Sequence, residues 1–266
     1  MANHQIRKGL DLPIAGKPQH AISRKQVSRV AIMALDYAGL KPRIRVQPGD
    51  TVKRGQALFE DKKAVGALFT SPGAGTVSAV HRGDRRALQS VVIDLTASEA
   101  TEEPMAADFQ DFASYTGAAA ASLSREAVRD LLVEAGLWVS FRTRPFSHVP
   151  HLDQIPDAIF ITACDSNPLA PPMDRIVAGR QEALDAGVAA VAKLTDGPVF
   201  FCKQASDTIA PTEAPSNLRI ETFSGPHPSG TPGVHIHLLA PVSRKKTVWH
   251  VGLQDLLSMG VLVTTG

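Results

Sequence analysis

Polar and apolar positions change rhythm twice along this chain. Arg29 to Leu35 is apolar and rich in strand formers, and Asp36 to Pro42 closes it with the loop signals Gly39 and Pro42. Between residues 43 and 95 the runs are short and each ends at a turn. Arg43-Ile44-Arg45-Val46 stops at Pro48-Gly49-Asp50, Thr51 to Leu58 turns at Gly55, and Glu60-Asp61-Lys62-Lys63 makes a charged corner. Leu68-Phe69-Thr70 precedes Ser71-Pro72-Gly73, and after Thr76 to Val80 an apolar run spans Leu88 to Leu95. Many short strands with Gly or Pro between them predict a small all-β sandwich. Ala97 to Gly117 is acidic and unpatterned, as a surface connection would be.

The period then lengthens. Ser122 to Gly136 predicts a helix with Val128, Leu131, Leu132 and Ala135 on one face. Ser122 or Ser124 caps its start, Glu126 and Asp130 suit its N-terminal half, and Gly136 ends it. From Ala158 buried strands (Ala158 to Thr162, Pro198 to Cys202, Leu218 to Phe223, Thr247 to Val251) alternate with helices over 173–193 and Gly252 to Met259, the latter stopped by Gly260. Ile176, Leu184, Val188 and Val191 mark the inward face of the first helix. Such alternation predicts an open α/β sheet, whose ligands gather beyond the carboxyl ends of its strands. The loops Cys164 to Pro168 and Ser224 to Gly233 occupy those ends. Ahead of all this, Ile6 to Gly16 has little periodicity and predicts an extended arm.

Between the two halves lies a seam, Gly136 to Pro150. Pro145 and Pro150 interrupt regular structure, because proline lacks an amide donor and restricts its predecessor. Trp138, Phe141 and Phe146 are costly to leave in water; Arg142, Arg144 and His148 need anions, carbonyls or solvent. Two readings follow. The aromatics pack a domain junction, with the arginines paired to acidic residues across it, or they wall a slot for a flat, carbonyl-bearing ligand whose oxygens meet the cations.

Composition narrows the classes. A net charge of +2 with no basic helix argues against nucleic acid. No apolar run reaches the ~20 residues of a membrane span, and the N-terminus lacks a signal-peptide core. Cys164 and Cys202 have no CxxC spacing and sit beside apolar strands, as buried thiols do. In Ser224 to His237 the glycines suit an anion-binding nest at a helix start, yet neither GxxxxGK[ST] nor GxGxxG occurs, so neither ATP nor a dinucleotide is supported. His227, His235 and His237 invite a metal reading. The last two, at i and i+2, share a face only on a strand, and no carboxylate or thiolate accompanies them at ligand spacing. No nucleophile elbow, HExxH or carboxylate pair marks a hydrolase.

Two resemblances extend this. Val46-x-Pro48-Gly49-Asp50-x-Val52-x-x-Gly55-Gln56-x-Leu58 followed by Ser71-Pro72-x-x-Gly75-x-Val77 resembles the biotinyl/lipoyl hammerhead. That resemblance makes Lys62 and Lys63 candidate carrier lysines; Ala64-Val65-Gly66 lengthens their hairpin beyond the carrier pattern, which favours plain scaffold. More broadly, Lys8 to Gly16, Leu58 to Lys63, Val80 to Arg86, Leu88 to Val92, Gly136 to Trp138 through Pro150, Asp165 to Ala170 and Gly225 to Pro228 together resemble the A component of the bacterial sodium-translocating NADH:quinone oxidoreductase. The family protein is longer, and its C-terminal region has no counterpart after Gly266.

That resemblance implies an N-terminal barrel-sandwich-hybrid (lipoyl-like) β domain followed by a Rossmann-like α/β domain related to the flavin subunit of complex I, an α+β / α/β chain. The expected segments are an arm with the first strand (1–40), the β domain (41–97), a connection with helix and seam (98–150) and the α/β domain (151–266). It implies a peripheral subunit, on the cytoplasmic side of the bacterial inner membrane, of a six-subunit pump that passes electrons from NADH to ubiquinone and exports Na+. Flavins and iron–sulfur centres lie in other subunits, and none is expected on this chain. Quinone association falls on the segments matching Met33 to Leu40 and Phe141 to His148. The implied quinone residues are Leu35, Tyr37, Trp138, Phe141, Arg142, Arg144, Phe146 and His148, with no catalytic or metal-binding residue. A ligand-free scaffold role in the same pump, or a lipoyl-type carrier, are the alternatives.

Overall fold

A computed structural model describes residues 2–14, 16 and 21–266; Ala15 of the arm stretch lies outside them. The first strand, β1 (Asn3–Gln5), belongs to the distant α/β sheet, and the rest of the described arm carries neither helix nor strand. The sandwich follows. β2 (Arg29–Met33), β4 (Thr51–Val52), β7 (Gly75–Arg82) and β8 (Leu88–Leu95) form one antiparallel sheet, ordered β2-β8-β7-β4. β3 (Pro42–Ile44), β5 (Ala57–Asp61) and β6 (Leu68–Thr70) form the other, ordered β3-β5-β6. Leu58, Phe59, Phe69, Val77, Val91 and Ile93 are almost fully buried in its core, the two phenylalanines stacked at 4.6 Å. Period-2 burial in β7 is the signature of a sheet with one wet face.

A short helix, α1 (Ala97–Ala100), opens the connection, and α2 (Arg125–Glu134) carries Val128, Leu131 and Leu132 inward as its spacing requires. Ser124 caps it by accepting the Ala127 amide at 3.1 Å. The Thr70 hydroxyl donates to the Ala135 carbonyl at 3.0 Å, fastening the end of α2 to the sandwich. One buried apolar cluster then runs from the sandwich through α2 into the α/β unit, so the halves share a core.

That unit is a six-stranded sheet ordered β1-β12-β11-β10-β13-β9. Its strands are β9 (Arg142–Arg144), β10 (Ala158–Ala163), β11 (Val199–Gln204), β12 (Leu218–Ser224) and β13 (Val248–Gly252), with β1 at the far edge. All neighbours are parallel except β9, which runs antiparallel to β13. Helices α3 (Met173–Val177) and α4 (Gln181–Ala192) link β10 to β11, α5 (Pro232–Leu239) links β12 to β13, and α6 (Leu253–Thr265) follows β13. Ile159, Ile161, Phe201 and Trp249 face the cluster that holds α4 and α6; Phe160, Phe200 and Phe223 face α5.

Three expectations change. The helix over 173–193 is two helices, because Gly179 adopts φ +73°, a left-handed turn no helix interior contains. Gly260 does not stop α6, which runs on to Thr265. It sits where α6 crosses α4, and a Cβ there would lie 1.8 Å from the Ala183 carbonyl oxygen. Finally, His235 and His237 lie on a helix and not a strand, so they point apart: His235 is buried and His237 exposed.

Candidate functional site

The strand order places the crossover reversal between β10 and β13. From β10 the chain moves outward through β11 to β12, then returns to the other side of β10. Connections leave such a point in opposite directions, so a crevice opens at the strands' carboxyl ends. A cleft of about 540 Å³ lies there. Thr162, Cys164, Asp165 and Asn167 line it from the end of β10, and Gly230 to Pro232 from the loop before α5. His250, Leu253 and Asp255 come from β13 and the first turn of α6, with Tyr37 and Arg142 at the side of the sandwich. The two loops singled out by sequence thus meet at one site, joined by the Gly230 amide donating to the Ser166 hydroxyl at 2.9 Å.

The implied quinone residues separate into three groups, with Arg144 apart from all of them. Tyr37 and Arg142 come together, the guanidinium 4.8 Å from the phenol ring centre. Arg142 reaches the Asp36 carbonyl at 3.5 Å and the Phe141 carbonyl at 3.2 Å, and also donates to the Val139 carbonyl. It ties the turn after β2 to the seam through carbonyls; among the described residues no acidic side chain forms an ion pair with it. Leu35, Phe146 and His148 stay outside on the same two segments, Leu35 85% and Phe146 72% exposed, with the Phe146 and His148 rings stacked at 6.0 Å. Trp138 and Phe141 are at most 1% exposed and pack with Trp249 on the opposite face of the sheet, so they wall no opening. The Trp138 indole donates to the Pro150 carbonyl at 2.9 Å. Arg144 faces a separate cavity of about 210 Å³ beside α5, its Nε buried without a partner.

Burial sets the electrostatics of the cleft. Desolvation holds the Asp255 carboxyl above the usual carboxylate range, against a bond from the Ser140 hydroxyl (3.0 Å) and the attraction of Arg142. The same cause raises the Tyr37 phenol, again opposed by Arg142. Burial, reinforced by Arg144 and Arg142, lowers His250 to about 4, so its imidazole is neutral at pH 7. Burial also pushes the Cys164 thiol up to about 12 and Cys202 well above its ordinary value, which leaves both unreactive as nucleophiles.

Sequence reasoning missed Thr162, His250, Ser140 and Asp255. For Thr162 and His250 the signal was a single polar residue in an otherwise apolar strand, Ala158 to Ala163 and Val248 to Gly252. The nest expected at Ser224 to Gly233 is already filled: the amides of Ser229, Gly230 and Thr231 go to Pro226, Ser166 and Pro228. His235 Nε2–H donates to the Ser229 carbonyl at 2.8 Å and lies 3.6 Å from the Cys164 sulfur, and His227 contacts the Ser166 hydroxyl at 3.0 Å. Among the described residues no three His, Cys, Asp or Glu side chains converge as a metal site would require. Lys62 and Lys63 are exposed on the β5–β6 hairpin. A larger open groove of about 1220 Å³ runs past Ala118, Ala121, Ala186 and Ala189, with Glu182 and Asp185 on its walls. Among the described residues, none of the buried unpartnered polar atoms lines it, whereas two line the cleft.

Comparison with known proteins matches the chain to two family profiles. Residues 4–96 match the NqrA N-terminal barrel-sandwich hybrid domain, and residues 123–266 the NqrA second alpha/beta domain. Curated relatives from Saccharophagus degradans, Pseudomonas aeruginosa strain UCBPP-PA14 and Klebsiella pneumoniae are 49%, 47% and 46% identical over 263 residues. Each is named as the A component of a Na(+)-translocating NADH-quinone reductase. The match covers 98% of this chain but 56–57% of the relatives' length.

Proposed function

The chain belongs to the NqrA family, and from that premise we propose that it works as the A component of a Na+-translocating NADH-quinone reductase, contacting ubiquinone at the cleft mouth. The observation that carries this is the meeting of Met33 to Leu40 with Phe141 to His148. The two segments, more than a hundred residues apart in the chain, join through Tyr37 and Arg142 at the edge of the crevice. Val139, Met173, Ile176 and Leu253 offer an apolar lining for a ring, and exposed Leu35 and Phe146 flank the segments where a hydrophobic tail would leave. His148, Tyr37, Thr162 and His250 offer donors. In this reading Trp138 and Phe141 support the seam from below.

Among the described residues no helix is long and apolar enough to cross a membrane. In the proposed reading the chain docks from the cytoplasmic side of the inner membrane onto partners that carry the flavins and the iron–sulfur centres. Electrons would come from NADH through those partners; this chain would bind and orient the acceptor. A photoreactive short-chain ubiquinone added to the native assembly tests the reading. Labelling should fall within 33–40 and 141–148 and be suppressed by excess ubiquinone. Labelling confined to other segments or other subunits would remove quinone contact from this chain.

One observation favours the scaffold alternative: three backbone carbonyls already occupy Arg142. The variant Arg142→Ala separates the readings. A scaffold role predicts a lower melting temperature with unaltered quinone affinity in the folded fraction; a quinone role predicts that both fall.

A further inference from the structure

We propose that Thr162 and His250, side by side on the floor of the cleft, recognise one carbonyl oxygen of the quinone ring and make the site selective for it, a step that rests on the proposed quinone contact. The register carries the geometry. Parallel β10 and β13 pair Phe160 with His250 and Thr162 with Gly252. Alternation along a strand puts Thr162 and His250 on the same face of the sheet, the face toward α5, two residues apart in register. Opposite Thr162 stands Gly252, which has no side chain to cover the hydroxyl.

Both groups are unsatisfied. Thr162 Oγ1 and His250 Nε2 are buried and lack a hydrogen-bond partner among the described residues, and both residues line the cleft. Buried polar atoms nearly always find partners, because an unpaired one costs free energy that a neighbouring acceptor recovers. Of the five such atoms, these are the two at the crevice where an α/β sheet takes its ligand; Trp249 faces the opposite core, Arg144 the smaller cavity and His235 the interior.

The surroundings select the chemistry. In the antiparallel pairing of β13 with β9, Arg142 stands opposite His250 and Arg144 opposite Val248, so two guanidinium groups share this face. Burial, reinforced by their field, keeps the imidazole neutral, with its pKa lowered to about 4. A neutral imidazole and a hydroxyl can both donate to an oxygen, and nearby positive charge favours an oxygen bearing negative density. Burial raises the Asp255 carboxyl, and the Ser140 hydroxyl holds it at 3.0 Å. Val139, Pro171, Met173, Ile176 and Leu253 give the cleft an apolar wall, beside the polar Ser140, Asp165, Asn167 and Thr231. A flat ring with a carbonyl oxygen fits this pairing of an apolar wall with two donors.

The test compares two probes on the native assembly in which the chain is isolated: ubiquinone-1 and its 1,4-dimethoxy analogue, which keeps the ring but replaces both carbonyls by ethers. Affinity is read as competition against a photoreactive quinone, with the labelled peptide identified each time. Native protein should prefer the quinone by tenfold or more. Thr162→Val and His250→Phe should each cut that preference to threefold or less, while Thr162→Ser, which restores the hydroxyl, keeps it. Labelling at 33–40 should persist in every variant. If Thr162→Val and His250→Phe retain the full preference with labelling intact, the assignment of these two residues is wrong and the quinone reading stands. If native protein shows no competed labelling at 33–40 or 141–148, both fall. Melting temperature is measured alongside: loss of folding in Thr162→Val, an isosteric removal of an unpartnered hydroxyl, would also overturn the assignment.

Discussion

Gly260→Ala sets two effects of opposite sign against each other. Gly260 lies inside α6, where alanine normally gains about 1 kcal/mol of helix propensity. The crossing with α4 opposes this. A Cβ at 260 would stand 1.8 Å from the Ala183 oxygen, 2.6 Å from its carbonyl carbon and 2.9 Å from its Cα. Gly187 of α4 meets the Leu256 oxygen in the same way, at 2.4 Å. These neighbours are backbone and cannot rotate aside, so the helices must part by roughly 1 Å, and the close-packed layer between them loses its contacts. Overpacking of this kind costs about 1–3 kcal/mol or more. With rigid neighbours the upper end applies, leaving a net loss of about 2 kcal/mol after the propensity gain. For a chain of this size that lowers Tm by about 4–8 °C. Scanning calorimetry or far-ultraviolet circular dichroism on native and variant protein reads it. Because α6 carries Leu253 and Asp255 to the cleft, ubiquinone labelling should weaken too. A Gly260→Ala protein that melts at or above the native temperature would refute the crossing as described.

Four other outcomes are expected. Trp138→Phe should cost about 1–3 kcal/mol in denaturant unfolding, because the buried Pro150 carbonyl loses its donor; an unchanged midpoint would contradict the role of that bond. Thr162→Val should leave stability unchanged or raise it slightly, since it removes a buried hydroxyl with no partner, and a loss above about 1 kcal/mol would show that the hydroxyl is satisfied. His235 is fully buried and its folded pKa is lowered to about 4, so the unfolded chain, with an ordinary value near 6.5, binds more protons between those pH values. Its contribution is therefore complete above pH 6.5 and is lost as pH falls toward 4; urea midpoints flat from pH 7 to 4.5 would disprove this. A polypeptide of these 266 residues should have the intact mass of its sequence, 28.3 kDa, with no visible absorbance, because the hairpin bearing Lys62 and Lys63 is longer than a carrier's; a lipoyl or flavin increment would overturn that.

Local rules determined much of this protein. Turn residues at short intervals marked the strands of the sandwich, because Gly and Pro dictate backbone geometry wherever they stand. The helix expected over Ser122 to Gly136 and its inward face followed from spacing, and so did the two loops that flank the crevice; the structure selects Ser124 over Ser122 as the cap and begins the helix at Arg125. The motifs spread along the chain carried the family. Tertiary structure decided what depends on partners distant in sequence. Gly260 reads as a helix stop until α4 lies against it, because close approach and chain termination call for the same residue. Trp138 and Phe141 read as junction packing or as ligand walls, and only the arrival of Trp249, more than a hundred residues later, buries them on the far face. Thr162 and His250 were single polar residues in two apolar strands; the parallel register of β10 and β13 makes them neighbours. Sequence records each residue's own preferences, but whether a polar atom finds a partner depends on which strands come to lie side by side.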